Sequence, residues 1–231
     1  MTRKAQVYIG LTIAAGAGVI GTCLASGPLE YSGAFLAYCV LAWFFSTFKV
    51  RLPGMTGTMS PSFLFVLVSV AVFSLSETVL LATVASVVQC VLRSRKRPRL
   101  VQVAFNVATW AVASGATYRV AHWFAQDRDG RLIVLLPVAA CSFFVGNTFL
   151  VSGVLSLVDR KSLFQTWQQC YLWTFPYYLV GSALAALAVE TGRTEGWQMS
   201  LLILPILYFL YLFYRTCVHR ITGALSTAGL S

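Results

Sequence analysis

Charged residues are scarce in this sequence, and acidic residues are scarcer still. Of 231 residues only 10% are charged, with seven acidic side chains against seventeen Lys and Arg, while 58% are hydrophobic. Soluble domains are roughly 25% charged and about 45–50% apolar. Together with a mean hydropathy of +0.76, the composition therefore excludes an ordinary soluble domain and predicts an integral membrane protein.

Sequence motifs for hydrolysis or ATP-driven chemistry are also missing. The chain holds no Walker lysine motif, no HExxH and no nucleophile elbow, and its two histidines, His122 and His219, are far apart. Asp127 and Asp129 form a DxD sequence, but its context, DRDG, is typical of a turn between helices. No carboxylate falls in the middle of an apolar run, which argues against a proton-coupled pump. We therefore predict a protein that is not an enzyme, with no cofactor and no metal.

Paired cysteines are absent as well. Six cysteines are scattered singly, without CxxC spacing or nearby histidines, at Cys23, Cys39, Cys90, Cys141, Cys170 and Cys217. Single thiols within apolar runs predict small, inert core side chains rather than a metal site.

The net charge of +10 is concentrated between apolar runs, which indicates membrane topology and not nucleic-acid binding. A bilayer core about 30 Å thick needs about 20 apolar residues per helix. We predict one all-α domain over residues 1–231, a polytopic bundle of about eight spans followed by a short cytoplasmic tail at 215–231. The spans are placed at residues 5–25, 31–48, 61–75, 78–92, 101–123, 132–157, 171–189 and 199–214.

The distribution of basic residues predicts the orientation. Thirteen of the seventeen Lys and Arg residues fall on one set of alternate breaks. The other set contains only Arg119, Arg128, Arg131 and Arg193, and most of the acidic residues accompany them. Because cytoplasmic loops retain positive charge, both termini are predicted to be cytoplasmic, in a multi-pass protein of the inner (plasma) membrane.

Two local patterns add detail. The first run carries small residues at three- and four-residue spacing, which predicts a face for close helix packing; these are Gly10, Ala14, Ala17, Gly18, Gly21 and Ala25. Residues 162–170 predict a short interfacial helix before the seventh span.

The strongest charge feature is a basic run between the fourth and fifth spans. It contains five cations, Arg93, Arg95, Lys96, Arg97 and Arg99. Each basic residue near an anionic leaflet gains about 1 kcal/mol. The run is interpreted as a topology anchor, with membrane-lipid binding and docking of a protein partner as alternatives.

Uncharged polar groups at membrane depth are the main candidates for function. Asn106 and Asn147 must be hydrogen-bonded within the bundle or must contact a ligand, because an unsatisfied amide in lipid is unfavourable. Asn106 begins a helical face that we expect to point inward and to contact a small-molecule ligand. This face consists of Asn106, Trp110, Ala113, Ser114 and Thr117.

A second group of candidate residues lies at the predicted outer ends of the spans. It consists of Glu77, Arg119, His122 and Glu190. Arg119 falls within the fifth run and therefore needs to snorkel or to pair with a carboxylate, for which Glu77 is the natural candidate. The group is either a ligand pocket or a set of separate interfacial charges.

The eleven residues VRLPGMTGTMS, 50–60, differ from ordinary loop sequence because they carry one proline, two glycines and two threonines. Thr58 or Ser60 is predicted to cap a helix that Pro61 opens. The loop is also a candidate to fold back against a ligand through Thr58.

The segments LPGMTGTMSPSFLFVLVSV and ETVLLATVASVVQCVLRSRKRPRLVQVAFNVA resemble the membrane-associated sensor (MASE-type) regions of bacterial cyclic-di-GMP signalling proteins. The positions that carry the resemblance are Leu52, Pro53, Gly54, Gly57, Thr58, Ser60, Phe63, Gln89, Phe105 and Asn106. In that family the last membrane helix leads into a GGDEF cyclase or an HD-GYP phosphodiesterase domain. Here about 17 residues follow Tyr214, so we expect the output to come from a separate partner.

These observations predict a stand-alone sensor-like membrane module that binds a small molecule or lipid. Two alternatives stay open. One is a substrate-binding subunit of an energy-coupling transporter, whose loop before two short helices is similar at the level of the fold. The other is a structural subunit of a membrane complex.

Overall fold

A computed structural model gives the fold. It describes residues 3–26, 33–48, 50–51, 58–92, 99–126, 131–196 and 198–199, with single positions or short pieces at 204–206, 208–209, 212 and 216. Over this part of the chain, the protein is an all-α bundle with one short β-hairpin.

The helices follow the apolar runs closely. The α-helices are α1 (Arg3–Ala25), α2 (Gly33–Phe45), α3 (Phe63–Val72), α4 (Leu75–Val91), α5 (Leu100–Ala125), α6 (Arg131–Asp159), α7 (Leu163–Cys170) and α8 (Phe175–Glu195). Strands β1 (Val50–Arg51) and β2 (Thr58–Met59) pair antiparallel, and a 3-10 turn (Leu172–Thr174) connects α7 to α8. Helices at the first seven predicted spans are confirmed, whereas the eighth, 199–214, and the tail lie largely outside the described residues.

Three helices are long and apolar enough to cross a bilayer: α1, α5 and most of α6, Leu132–Asp159. Three others, α2, α3 and α4, are shorter apolar helices. A bundle with three such helices indicates a multi-pass membrane protein. At a rise of about 1.5 Å per residue, the 26 residues of α5 extend about 39 Å.

Helix α3 is shorter than the predicted run 61–75 and lies at the centre of the bundle. Its ten residues rise only about 15 Å, and every side chain from Phe63 to Val70 is buried. Helices α2, α4, α5, α6 and α8 all pack against it. A helix that is apolar on all sides is expected to be buried in this way.

The connection between α3 and α4 is the tight turn that the sequence predicts. Ser74 caps α4: its backbone N–H and its hydroxyl donate to Glu77 Oε2 at 3.0 and 2.8 Å, and Glu77 N–H donates to Ser74 Oγ at 3.3 Å. This reciprocal capping box satisfies two amides that the first turn of a helix otherwise leaves unpaired. It also determines the location of the Glu77 carboxylate.

The predicted packing face of α1 is wrong. The six small residues of that face are exposed, and a methyl group added at Gly10, Gly18 or Gly21 would meet nothing within 4 Å. Helix α1 instead packs through the opposite side, where Gly16 lies directly on Ala108 of α5. Both sides of α1 carry small residues, so the spacing alone does not distinguish them.

Helix α7 confirms the short helix expected at 162–170. The Trp167 indole N–H donates to the Thr148 hydroxyl of α6 at 2.8 Å, and its ring contacts Phe149 with the ring centroids 4.9 Å apart. These contacts fix α7 against α6.

Pro176 stands in the first turn of α8, where the missing N–H leaves no carbonyl unpaired.

Candidate functional site

The packing of α4 against α5 is the first candidate site, and we call it the α4–α5 seam. The Asn106 amide Nδ2 donates to the Cys90 sulfur at 3.3 Å. At the other end, a methyl group added at Gly115 would lie 3.7 Å from Val79. The two contacts show that the helices run antiparallel and that the Asn106 amide joins them; contact of Asn106 with a ligand stays a prediction.

The predicted inward face of α5 is confirmed in its orientation. Ala113, Ser114 and Thr117 are fully buried, and Trp110 is 9% exposed. The indole packs edge-on against Phe143 of α6 with the ring centroids 5.4 Å apart. Trp110 is therefore part of the packed core, and only Asn106, at the half-buried end of this face, is partly accessible.

Four buried hydroxyls on the two helices have no hydrogen-bond partner within the described part of the protein. They are Thr78 and Ser86 on α4 and Thr109 and Thr117 on α5. Helical Ser and Thr ordinarily donate to a carbonyl three or four residues earlier, as Thr83 does to Val79 at 2.8 Å. Each unsatisfied hydroxyl costs about 1–3 kcal/mol, so four of them represent a considerable unused capacity for hydrogen bonding.

These four residues, apart from Thr117, were not singled out by the sequence. Within each helix the two positions lie eight residues apart, about two turns, which is compatible with a common face. This eight-residue spacing is visible in the sequence and could have indicated a polar face on each helix. The spacing does not stand out, however, because Ser and Thr are common in membrane helices and usually donate to a carbonyl of their own helix.

Asn147 belongs to a different contact. Its side chain lies beside the Tyr178 hydroxyl of α8, and Tyr178 packs against Phe63 and Phe144 with ring centroids 4.7 and 5.1 Å apart. Asn147 therefore connects α6 to α8, whereas Asn106 connects α5 to α4. The structure does not bring the two asparagines into one site.

A second candidate site lies at the C-terminal end of α5, and we call it the α5 cleft. It is shallow, about 380 Å³ in volume, and is lined by Leu75, Tyr118, Arg119, His122, Trp123 and Gln126. The His122 ring stacks on Tyr118 with the ring centroids 4.0 Å apart, and its Nδ1 lies 2.8 Å from the Tyr118 carbonyl oxygen. The structure thus brings together Arg119 and His122, two of the four residues predicted to converge.

The other two predicted members of that group lie elsewhere. Glu77 is 6% exposed and uses its carboxylate to cap Ser74, so the predicted Glu77–Arg119 ion pair does not form among the described residues. Capping within one turn satisfies the carboxylate without ordering a long arginine side chain. Glu190 lies on α8, which packs against α3 and α6 and not against α4 or α5.

The loop before α3 is closed at its base by the β1–β2 pairing, in which Arg51 faces Thr58. Residues 52–57 lie outside the described part. The predicted cap is wrong, because α3 begins at Phe63 and not at Pro61, and the residue at the cap, Ser62, makes no capping bond through its side chain. Ser60 Oγ and Ser62 Oγ instead lie 2.6 Å apart and satisfy each other.

Of the basic run, only Arg99 lies in the described part. It is exposed, and its backbone N–H donates to Gln102 Oε1 at 3.1 Å at the start of α5. Arg93, Arg95, Lys96 and Arg97 fall outside the described residues, so their predicted contacts with lipid or a partner stay predictions.

Comparisons of the chain with protein-family models, with curated proteins and with solved structures find no match. Function therefore has to be argued from the α4–α5 seam and the α5 cleft.

Proposed function

We propose that the protein is a membrane sensor module that binds a small molecule or lipid in its helical bundle and signals to a protein partner. The observation that carries the proposal is the set of four unpartnered hydroxyls at Thr78, Ser86, Thr109 and Thr117. A polar ligand that reaches these groups supplies the missing hydrogen bonds and stabilises the arrangement of helices to which it binds.

The seam is well placed to transmit such a change. Helix α5 packs against α1, α3, α4 and α6, so a shift of α4 relative to α5 alters most of the bundle. The basic run 93–99 connects the end of α4 to the start of α5. Ligand binding in the seam would therefore change the presentation of Arg93, Arg95, Lys96, Arg97 and Arg99 to lipid or to a partner.

The topology proposed for this module has eight crossings, with both termini on the cytoplasmic side of the inner membrane. The main support is the charge asymmetry, thirteen of seventeen basic residues on one side. Helix α3 is too short to cross alone. Ser60, Pro61 and Ser62 precede it and are buried, and non-helical backbone is tolerated at membrane depth where protein surrounds it.

The resemblance to MASE-type sensor regions supports the same proposal. It includes Thr58 and Asn106, which lie at the loop before α3 and at the α4–α5 seam. Under this proposal the protein is not an enzyme and uses no cofactor, and its partners are membrane lipid, a small-molecule ligand and a cytoplasmic or membrane protein. Nucleic acid is not among them, because the basic residues lie at the membrane surface.

Native mass spectrometry of protein gently extracted from its own membrane tests the proposal. We expect a stoichiometric ligand to be retained by the wild type and to be lost in Asn106→Leu. A protein that retains only other subunits would favour the alternatives: ATPase subunits would indicate an energy-coupling transporter, and other membrane subunits a structural role. A kinase or cyclase would support signalling.

The buried hydroxyls permit a sharper version of this test. Thr117→Val preserves shape and removes an unpaired hydroxyl, so we expect the ligand-free protein to become more stable while ligand retention falls. Thr83→Val is the matched control, because Thr83 already donates to Val79 and its loss should lower stability without affecting the ligand. Unchanged ligand retention in Thr117→Val would contradict a role for the buried hydroxyls.

A further inference from the structure

Under the proposed topology, in which α5 starts at the cytoplasmic surface next to Arg99, the α5 cleft lies at the depth of lipid headgroups on the other side of the bilayer. Helix α5 is 26 residues long, about 39 Å, against a hydrocarbon core about 30 Å thick. The excess of about 9 Å corresponds to about six residues, the distance from Arg119 to the end of the helix at Ala125. The cleft also faces outward, since Ala116, Arg119, Val120 and Trp123 are exposed at three- and four-residue spacing.

Arg119 supplies the charge of the cleft. Its guanidinium is exposed and makes no ion pair or hydrogen bond with any residue that the structure describes. A guanidinium presents several N–H donors in a plane that matches the oxygens of a phosphate. An unpaired arginine at headgroup depth is therefore suited to a phosphate ester.

His122 supplies an acceptor beside this cation. A carbonyl oxygen only accepts hydrogen bonds, so the 2.8 Å contact between His122 Nδ1 and the Tyr118 carbonyl oxygen places the proton on Nδ1. In the neutral ring, Nε2 then carries a lone pair and accepts. Trp123, 70% exposed, adds an indole face that attracts an ammonium group and is a typical residue of the membrane interface.

We propose that the α5 cleft binds a phospholipid headgroup that carries an N–H donor, as in an ethanolamine phosphate. Arg119 holds the phosphate, and the His122 Nε2 lone pair and the Trp123 ring receive the ammonium group. A choline headgroup shares the phosphate but has no N–H to donate to His122. The cleft lies at one end of the α4–α5 seam, but none of the four buried hydroxyls lines it, so the proposal stands whether or not those hydroxyls bind a ligand.

Binding of short-chain lipids to the full-length protein, delipidated in a mild detergent, tests the proposal. Dihexanoyl phosphatidylethanolamine, dihexanoyl phosphatidylcholine and inorganic phosphate are added separately, and the apparent Kd is measured from bound masses by native mass spectrometry. We expect the ethanolamine lipid to bind at least tenfold more tightly than the choline lipid. Arg119→Gln should weaken both lipids at least tenfold.

Two variants of His122 isolate the role of Nε2. His122→Phe keeps a ring on Tyr118, and His122→Asn keeps a donor close to the position of Nδ1, but neither has an acceptor at the position of Nε2. Both should bind the two lipids equally. The preference would be overturned if either variant retained it or if the wild type showed none.

Arg193→Gln is the matched control for charge, because Arg193 is likewise exposed near the end of a helix. We expect it to leave both affinities unchanged. An effect equal to that of Arg119→Gln would overturn the proposal in favour of general surface charge. Inorganic phosphate that binds as tightly as the ethanolamine lipid would overturn the assignment to a lipid.

Discussion

At the scale of single residues, the surroundings of a side chain determine what it does, and residues of one type differ sharply. Gly16 and Gly18 lie on the same helix, two residues apart. A methyl group added at Gly16 would clash with the Ala108 Cα and Cβ atoms, whereas one added at Gly18 would meet nothing within 4 Å. Of these two glycines, Gly16 is therefore the one that limits how closely α1 approaches α5.

Gly16→Ala should destabilise the protein, since α1 must move away from α5 to admit the methyl group. Overpacking of this kind costs about 1–3 kcal/mol. Gly18→Ala is the control, and it should be neutral or stabilising because alanine favours a helix by about 1 kcal/mol over glycine. Thermal unfolding in detergent measures both, and equal melting temperatures for the two variants would contradict the packing of α1.

At the scale of secondary-structure elements, a few short-range hydrogen bonds fix where helices begin and how they are placed. The capping box of Ser74 and Glu77 orients the start of α4 directly after the buried α3. The indole of Trp167 joins the short helix α7 to Thr148 of α6. Three hydrogen bonds orient the first turn of α4, which is 17 residues long, and one hydrogen bond positions α7, which has only eight residues.

Ser74→Ala removes the hydroxyl from the cap of α4 and should lower stability by about 1 kcal/mol. The control is Ser76→Ala, two residues further along and outside the capping box. Amide hydrogen exchange should become faster in the first turn of α4 for Ser74→Ala only. Equal exchange in the two variants would show that the cap does not hold this turn.

Trp167→Phe removes the indole N–H while keeping an aromatic ring on α7. The loss of one hydrogen bond should cost about 1 kcal/mol and should expose α7 to solvent exchange, because the contact with Thr148 connects α7 to α6. Trp43→Phe is the control at an exposed tryptophan. Hydrogen exchange over 163–170 reports the difference, and unchanged protection in Trp167→Phe would mean that packing alone holds α7.

At the scale of the whole molecule, α5 is the hub of the bundle. It packs against α1, α3, α4 and α6, and it carries residues of both candidate sites, Asn106 of the seam and Arg119 of the cleft. These two residues lie thirteen positions apart, about 20 Å along the helix axis. One helix thus extends from the predicted cytoplasmic side to the predicted outer side.

The proposed topology predicts opposite accessibility at the two ends of the bundle. Gln126 follows α5 and Lys161 follows α6, and both are exposed. Gln126→Cys should react with a membrane-impermeant maleimide in intact cells, whereas Lys161→Cys should react only after permeabilisation. The wild type serves as the blank, and reaction of both variants in intact cells would contradict the orientation.

Much of the fold follows from sequence patterns that act locally. Apolar runs bounded by polar or basic breaks located the helices α1 to α6 to within about three residues at each end, whereas α8 begins four residues later and ends six residues later than its run. The short sequence between Phe73 and Glu77 required a tight turn. The start of α3 was misplaced, because Pro61 is a common first residue of a helix but here precedes a turn at Ser62.

The candidate sites were predictable only in part. Asn106 was expected either to bond within the bundle or to contact a ligand, and its amide donates to Cys90, a partner that was not foreseen because thiols are weak acceptors. Arg119 and His122 were expected to converge and they line one cleft. Glu190 was grouped with Arg119 and His122 only because it was predicted at the same depth in the membrane. Depth does not show which helices are neighbours.

By itself, the sequence determined the class of protein and the identity of its helices, because composition and apolar run length depend only on the order of residues. The tertiary structure alone decided which face of α1 packs, that Glu77 caps Ser74 rather than pairing with Arg119, and that Thr78 and Thr117 are buried without a partner among the described residues. Those outcomes depend on how each helix is rotated and on which helix lies beside it. Rotation and neighbour are set by the summed packing of the whole bundle, which no single segment encodes.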